Sequence, residues 1–179
     1  MFEDVLHAAQ TGDENAFAQI WRALNPPVER YLRTLAPSSA ADLASETWLQ
    51  VIRNLSSFSG GEPAFRAWVF TIARHKVIDA ARYDKRRPRT TSDNSAIDMC
   101  AAPDDTALLA IERLSTDSAL ALIATLPGDQ AEVIMLRVVA GLDAATVAAI
   151  VGKSAGAVRV AAHRGLRRLQ ELVGSAVTL

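Results

Sequence analysis

The sequence predicts an all-α protein made of two small helical domains on a flexible tether, and three observations carry that prediction. Apolar residues recur at helical spacing almost throughout, with half the residues hydrophobic and little β-branched alternation. Residues 88–104, PRTTSDNSAIDMCAAPD, hold two prolines and few large apolar groups, the composition of a linker. The charge, only −1 overall, alternates in blocks. Residues 1–62 carry four Lys/Arg against eight acids and residues 63–92 carry eight against two. Residues 93–132 carry one against eight, and residues 133–179 six against two. Two basic elements parted by an acidic one suggest two contacts along one polyanion. The chain of 179 residues divides on this reading into domains 1–87 and 105–179, with the linker 88–104 between them.

The first half reads as five helices. Phe2–Gln10 precedes Gly12, and Asp13 is a good N-cap for Glu14–Leu24. Asn25-Pro26-Pro27 is expected to stop that helix, and Val28–Leu35 forms the next one, up to Pro37. Asp42–Asn54 offers Leu43, Trp48, Val51 and Ile52, with Leu55, as buried positions. A polar loop, Ser56–Pro63, leads to a long helix from Ala64 to about Asp84. Phe65, Val69, Ile72, Ala80 and Tyr83 share one face of it, Trp68 flanks them, and Arg74 and Arg82 lie outside that stripe.

The second half begins with a helix from about Asp105 to Leu126, stopped by Pro127-Gly128. Asp129 is expected to cap Gln130–Ala140, which Gly141 ends. Asp143 caps Ala144–Val151, whose Val147, Ile150 and Val151 face inward. Gly152 supplies a positive-φ turn and Ser154 caps a second helix. There Val158, Ala162, Leu166, Leu169 and Val173 make the expected inner stripe. Arg159, His163 and Arg167 stand at i, i+4 and i+8 on another face, beside Val160 and Arg164. This is a helix-turn-helix whose outer helix suits a DNA major groove. Its basic end also fits a plain solvated hairpin that favours its own dipole.

Several classes are set aside. MFEDVLHAAQTGDE lacks the basic start and apolar core of a signal peptide, and no apolar run reaches the ~18 residues of a membrane span. Cys100 is alone, which fits a reducing cytoplasm. His7, His75 and His163 are far apart, so no metal or other cofactor is expected. Asp79 and Asp84 stand isolated in the basic block, so no catalytic residues and no enzyme are expected. A rival reading is a dimeric helix-turn-helix regulator on operator DNA, which leaves the helix of Trp68, Arg74 and Asp79 unexplained.

Two ordered motifs carry a resemblance. Asp42, Leu43, Glu46, Thr47 and Trp48, then Phe65, Trp68, Ile72, Ala73, Arg74, Asp79 and Arg82, resemble regions 2.2 to 2.4 of the extracytoplasmic-function (ECF) sigma factors of bacterial RNA polymerase. Gly156 to Leu169 resembles the end of region 4. The resemblance implies a promoter-recognition subunit that docks on core RNA polymerase. Asp42, Glu46, Trp48 and Gln50 would meet the clamp coiled coil of the largest subunit, and the second domain the flap of the second-largest. Ser45 stands where the family usually has Gln. Ser57, Phe58, Ser59, Gly60, Arg74, His75, Arg82, Lys85 and Arg86 would read and melt the minus-ten element. Extruding a base costs a few kcal/mol, which contacts in the loop must offset. His75 replaces a common Asn there, implying an altered base preference. Ser154, Gly156, Arg159, Val160, His163, Arg164 and Arg167 would read the minus-thirty-five element. Control by an anti-sigma factor is a further implication.

Overall fold

A computed structural model describes the backbone of residues 1–86 and 107–177, with side chains for residues 1–84 and 116–173. The expected linker 88–104, Cys100 and Arg87 lie outside the described residues, as do the side chains of Lys85 and Arg86. Helices α1 (Phe2–Gln10), α2 (Glu14–Leu35), α3 (Ala40–Asn54) and α4 (Glu62–Arg86) form the first half. Helices α5 (Ala107–Ala124), α6 (Gly128–Ile134), α7 (Ala144–Val151) and α8 (Ala155–Val177) form the second, with a π-turn at Met135–Val139.

Asp13 caps α2 as expected, its Oδ1 accepting from the N–H of Asn15 at 2.8 Å and of Ala16 at 3.1 Å. The expected break at Pro26-Pro27 does not occur, and α2 runs through both prolines. Each proline removes one bond, and the deprived carbonyls would be those of Arg22 and Ala23. Both residues are exposed, so solvent can take the place of the lost donors. Burial holds the helix on either side through Leu24, Val28, Tyr31 and Leu32. Buried Asn25 adds a specific tie: its Oδ1 accepts from Trp48 Nε1 at 2.8 Å and its Nδ2 donates to Glu29 at 2.8 Å.

In α3, Leu43, Trp48 and Val51 are buried as expected, but Ile52 is 51% exposed. Ala44 and Thr47 fill the inner face instead, and Thr47 satisfies its hydroxyl on Leu43 O at 2.6 Å. In α4, Phe65, Val69, Phe70, Ile72 and Ala73 are buried, whereas Tyr83, assigned to the inner stripe, is exposed. Burying a side chain of this size contributes roughly 1.5–3 kcal/mol, so these rows dominate the cohesion of the first half.

The second half also departs from expectation at two points. Asp129 is not a cap: α6 starts at Gly128 behind Pro127, and the Asp129 carboxylate lies 3.5 Å from Lys153 Nζ. The inner stripe of α8 is rotated, with Val158, Ala161 and Gly165 buried while Leu166 is 45% and Val173 48% exposed. The cause is close helix approach. A Cβ built on Gly165 would lie 2.5 Å from Ile134 Cδ1, so the absence of a side chain lets α8 settle against α6.

The two halves pack on each other. Helix α2 contacts α5, α6 and the π-turn as well as α1, α3 and α4, and α4 contacts α7. At this seam Glu132 Oε1 accepts from Arg74 Nε at 2.8 Å and from the Tyr31 hydroxyl at 3.2 Å. The Arg74 and Glu132 side chains are each only 20% exposed, and Tyr31 is fully buried with its ring edge-on to Phe70. Burial, then the neighbouring Glu132 carboxylate, holds the Tyr31 phenol well above its ordinary value.

Candidate nucleic-acid interface

The helix-turn-helix is built as its residues dictate. Asp143 Oδ1 accepts from Thr146 N–H at 2.8 Å, and this bond holds the Asp143 carboxyl below the usual carboxylate value. Gly152 sits at φ 68°, a left-handed turn that a β-carbon would strain. Ser154 Oγ accepts from Ala157 N–H at 3.1 Å, opening α8. The two helices meet at 101°, within the usual range for this motif. Ser154, Gly156, Arg159, Val160, His163, Arg164 and Arg167 are all exposed. Arg168, which the sequence reading left out, joins Arg164 and Arg167 around a shallow polar cleft with Gln130 and Glu171. Of the four arginines of α8, only Arg167 has a carboxylate partner among the described residues, Glu171 at 3.1 Å.

The residues expected at the other DNA contact are less uniformly placed. The loop starts as a 3-10 turn, Leu55–Ser57, in which Ser57 Oγ donates to Asn54 O at 2.9 Å. Phe58 turns inward, its ring 5.1 Å from Phe65 and 5.0 Å from Trp68 between centroids. Trp68 is thus part of an aromatic box beneath the loop. Ser59 and Gly60 stay exposed above it, and Gly60 takes φ 147°. At 100° per residue, Trp68, His75 and Arg82 fall on one row of α4, so the loop, His75 and Arg82 share a face. His75 and Arg82 are exposed, with Arg82 at 3.7 Å from Asp79. Arg74 is not on that row. It points to the seam and Glu132, a partner 58 residues away that local pattern could not have revealed. Lys76 likewise reaches across to Glu46 at 3.1 Å, tying α4 to α3.

On α3, Asp42 and Glu46 are exposed and Gln50 is half-buried. Trp48 is buried against Phe17 and bonded to Asn25, so it supports this helix from behind and does not present a surface. The exposed apolar groups that sequence reading missed are Leu49 and Ile52, 52% and 51% accessible. Their signal was visible as two large apolar residues off the buried row of an amphipathic helix. Among the described residues, no single helix is long and apolar enough to cross a membrane.

A helix-turn-helix with an exposed basic outer helix, together with a second basic helix beneath a polar loop, marks a helical DNA-binding protein. Residues 20–87 match the Sigma-70 region 2 family and residues 109–169 the Sigma-70 region 4 family. The chain is 36% identical over 178 residues to the ECF RNA polymerase sigma factor SigD of Mycobacterium tuberculosis, covering 96% of this chain and 84% of that one. It is 39% identical over 179 residues to the ECF RNA polymerase sigma factor ShbA of Streptomyces griseus, covering 94% and 93%. CnrH, solved in complex with the cytosolic domain of CnrY, shares the fold at a TM-score of 0.64 and 22% identity, covering 96% of each chain. RpoE of Bartonella quintana, solved with the anti-sigma factor NepR, does so at 0.64 and 23%, covering 88% of this chain and 96% of that one. The chain belongs to the ECF family of RNA polymerase sigma factors, transcription initiation factors that direct the polymerase to promoters. The dimeric-regulator reading is not favoured, because the region 2 match covers the helix of Trp68, Arg74 and Asp79 that it left unexplained.

Proposed function

We propose that residues 1–87 dock on core polymerase and open the minus-ten element, residues 105–179 hold the minus-thirty-five element, and residues 88–104 tether the two. On α3, Asp42, Glu46, Gln50, Leu49 and Ile52 form the docking face for the clamp coiled coil of the largest subunit, an apolar edge flanked by acids. The flap of the second-largest subunit is the partner of the second domain. Ser57, Ser59, Gly60, His75 and Arg82 face the minus-ten strand, with Phe58 buttressing the loop, and Lys85 and Arg86 extend the same basic block. On α8, the exposed row from Ser154 to Arg167 lies in the major groove, where arginines bond guanine edges or phosphates. Regulation by an anti-sigma factor fits the two halves, and the structural neighbour RpoE was solved with the anti-sigma factor NepR.

The observation that carries the reading is a pair of basic helices, α8 with its exposed arginine face and α4 under a polar, glycine-bent loop. Elements about 25 base pairs apart on duplex DNA lie about 85 Å apart at 3.4 Å per pair. With α7 packed on α4, the two readers are too close to span that distance. Promoter engagement therefore opens the seam and exchanges Glu132 at Arg74 for a DNA phosphate. Adding the chain to core polymerase on a promoter library tests the function: specific initiation should appear, and none would overturn it.

A further inference from the structure

Gln10 ends α1, ahead of the residues matched to region 2, and its side chain is half-buried. Its Nε2 donates to two carbonyls of the loop, Leu55 O at 2.9 Å and Phe58 O at 2.8 Å. A carboxamide nitrogen carries two hydrogens, and both are used on a segment 45 and 48 residues away. The same segment is fixed at two further points. The Phe58 ring is held between Phe65 and Trp68. A Cβ on Gly60 would lie 3.0 Å from Ala64 Cβ and 3.2 Å from Phe58 Cζ, so the chain there lies too close to its neighbours for a side chain. Exposed Ser59 and Gly60 sit between these anchors.

We propose that Gln10 is the positioning residue of the minus-ten loop: by bonding both ends of the Leu55–Phe58 segment it holds Ser59 and Gly60 ready to receive an unstacked base. This rests on the reading of that loop as the minus-ten site. The reasoning is that of any preorganised site, since a loop already in its bound conformation does not lose freedom when the base arrives. Gln10 touches no DNA itself. Its contribution is selective for the loop, because neither α3's outer face nor α8 depends on it.

The test compares Gln10→Glu, Gln10→Lys and Ser59→Trp in the full chain bound to core polymerase. Glu keeps the size but offers only acceptors to two carbonyls, whereas Lys keeps donors. Initiation is measured on the intact promoter, on single-base minus-ten variants, and on a template already mismatched across the minus-ten element. Gln10→Glu is expected to lower initiation on the intact promoter about tenfold or more and to flatten discrimination among the variants. Gln10→Lys should retain most of both, and the pre-opened template should recover most of the loss. Affinity for core polymerase and for a minus-thirty-five duplex should stay unchanged. If Ser59→Trp alters discrimination and Gln10→Glu does not, the loop reading stands and the role of Gln10 falls. If neither alters it, the loop reading itself falls. Loss of polymerase affinity in parallel with initiation would also overturn the proposal, by making Gln10 a general stabiliser.

Discussion

The basic side chains of α4 and those of α8 keep different electrostatic company. On α4, Arg66, Arg74, Lys76 and Arg82 each lie within 4.0 Å of a carboxylate: Glu62, Glu132, Glu46 and Asp79. On α8, Arg159, Arg164 and Arg168 have no carboxylate partner among the described residues. An arginine that already holds a carboxylate gains from a phosphate only the difference between the two. On the proposed reading, helix α8 offers its charge to DNA at once, while α4 offers Arg74 only after Glu132 lets go. The exposed Arg82–Asp79 pair is a weaker restraint, worth at most about 1 kcal/mol.

The largest effect expected from this contrast is on salt dependence. Replacing Arg159, Arg164 and Arg168 together by Ala should flatten the log–log salt slope for a minus-thirty-five duplex by about 0.9 per arginine that meets a phosphate. Arg74→Ala in the free chain should leave that slope nearly unchanged, and equal flattening by the two variants would break the contrast.

Next comes Glu132→Ala. It strands a guanidinium and a phenol at the seam, and hydrogen bonds to charged groups are worth about 1.5–3 kcal/mol, so thermal denaturation should show a loss of that order. On DNA carrying the minus-ten element, the same variant should steepen the salt slope by up to about 0.9 if Arg74 then meets a phosphate. A double-mutant cycle with Arg74→Ala measures the coupling directly.

A smaller effect is expected at alkaline pH. The Tyr31 phenol is held above its ordinary value of 10.0, so its contribution is complete below that pH and is lost as pH rises through the folded value. Melting above about pH 10 should fall more steeply for the native chain than for Tyr31→Phe, which lacks the titrating group.

Smallest is the acid response of the α7 cap. The Asp143 carboxyl is held below 3.8 by Thr146 N–H, so its help to α7 is complete above that pH and is lost as pH falls through the folded value. Asp143→Asn should remove this component from the acid titration of minus-thirty-five binding, and an unchanged profile would show that the cap does not matter to α8.

Local signals were legible where a residue acts on its own neighbours. Asp13, Asp143 and Ser154 cap helices as their side chains suggest, and Gly152 turns where it must. The proline pair in α2 misled because a breaker is a local cost, while the burial of Leu24, Val28 and Tyr31 that outweighs it is tertiary. The α8 stripe misled because Gly165, which has no side chain to register as apolar, is the contact that sets the helix against Ile134. Trp48 carried the family pattern yet faces inward, while Leu49 and Ile52 are the large apolar groups that α3 leaves exposed. Local pattern gives no signal at Gln10 or Glu132, because their partners lie 45 to 101 residues away.

If promoter engagement opens the seam at Glu132, as proposed, promoter affinity becomes a matter of populations. If packing favoured the closed form by about 2.7 kcal/mol, about one free chain in a hundred would be open, and apparent affinity for a full promoter would fall about a hundredfold below that of the open form. Whatever holds the halves apart restores that factor without adding a single contact to DNA. Free chains would then leave promoters largely untouched, and occupancy would follow the supply of polymerase that opens them.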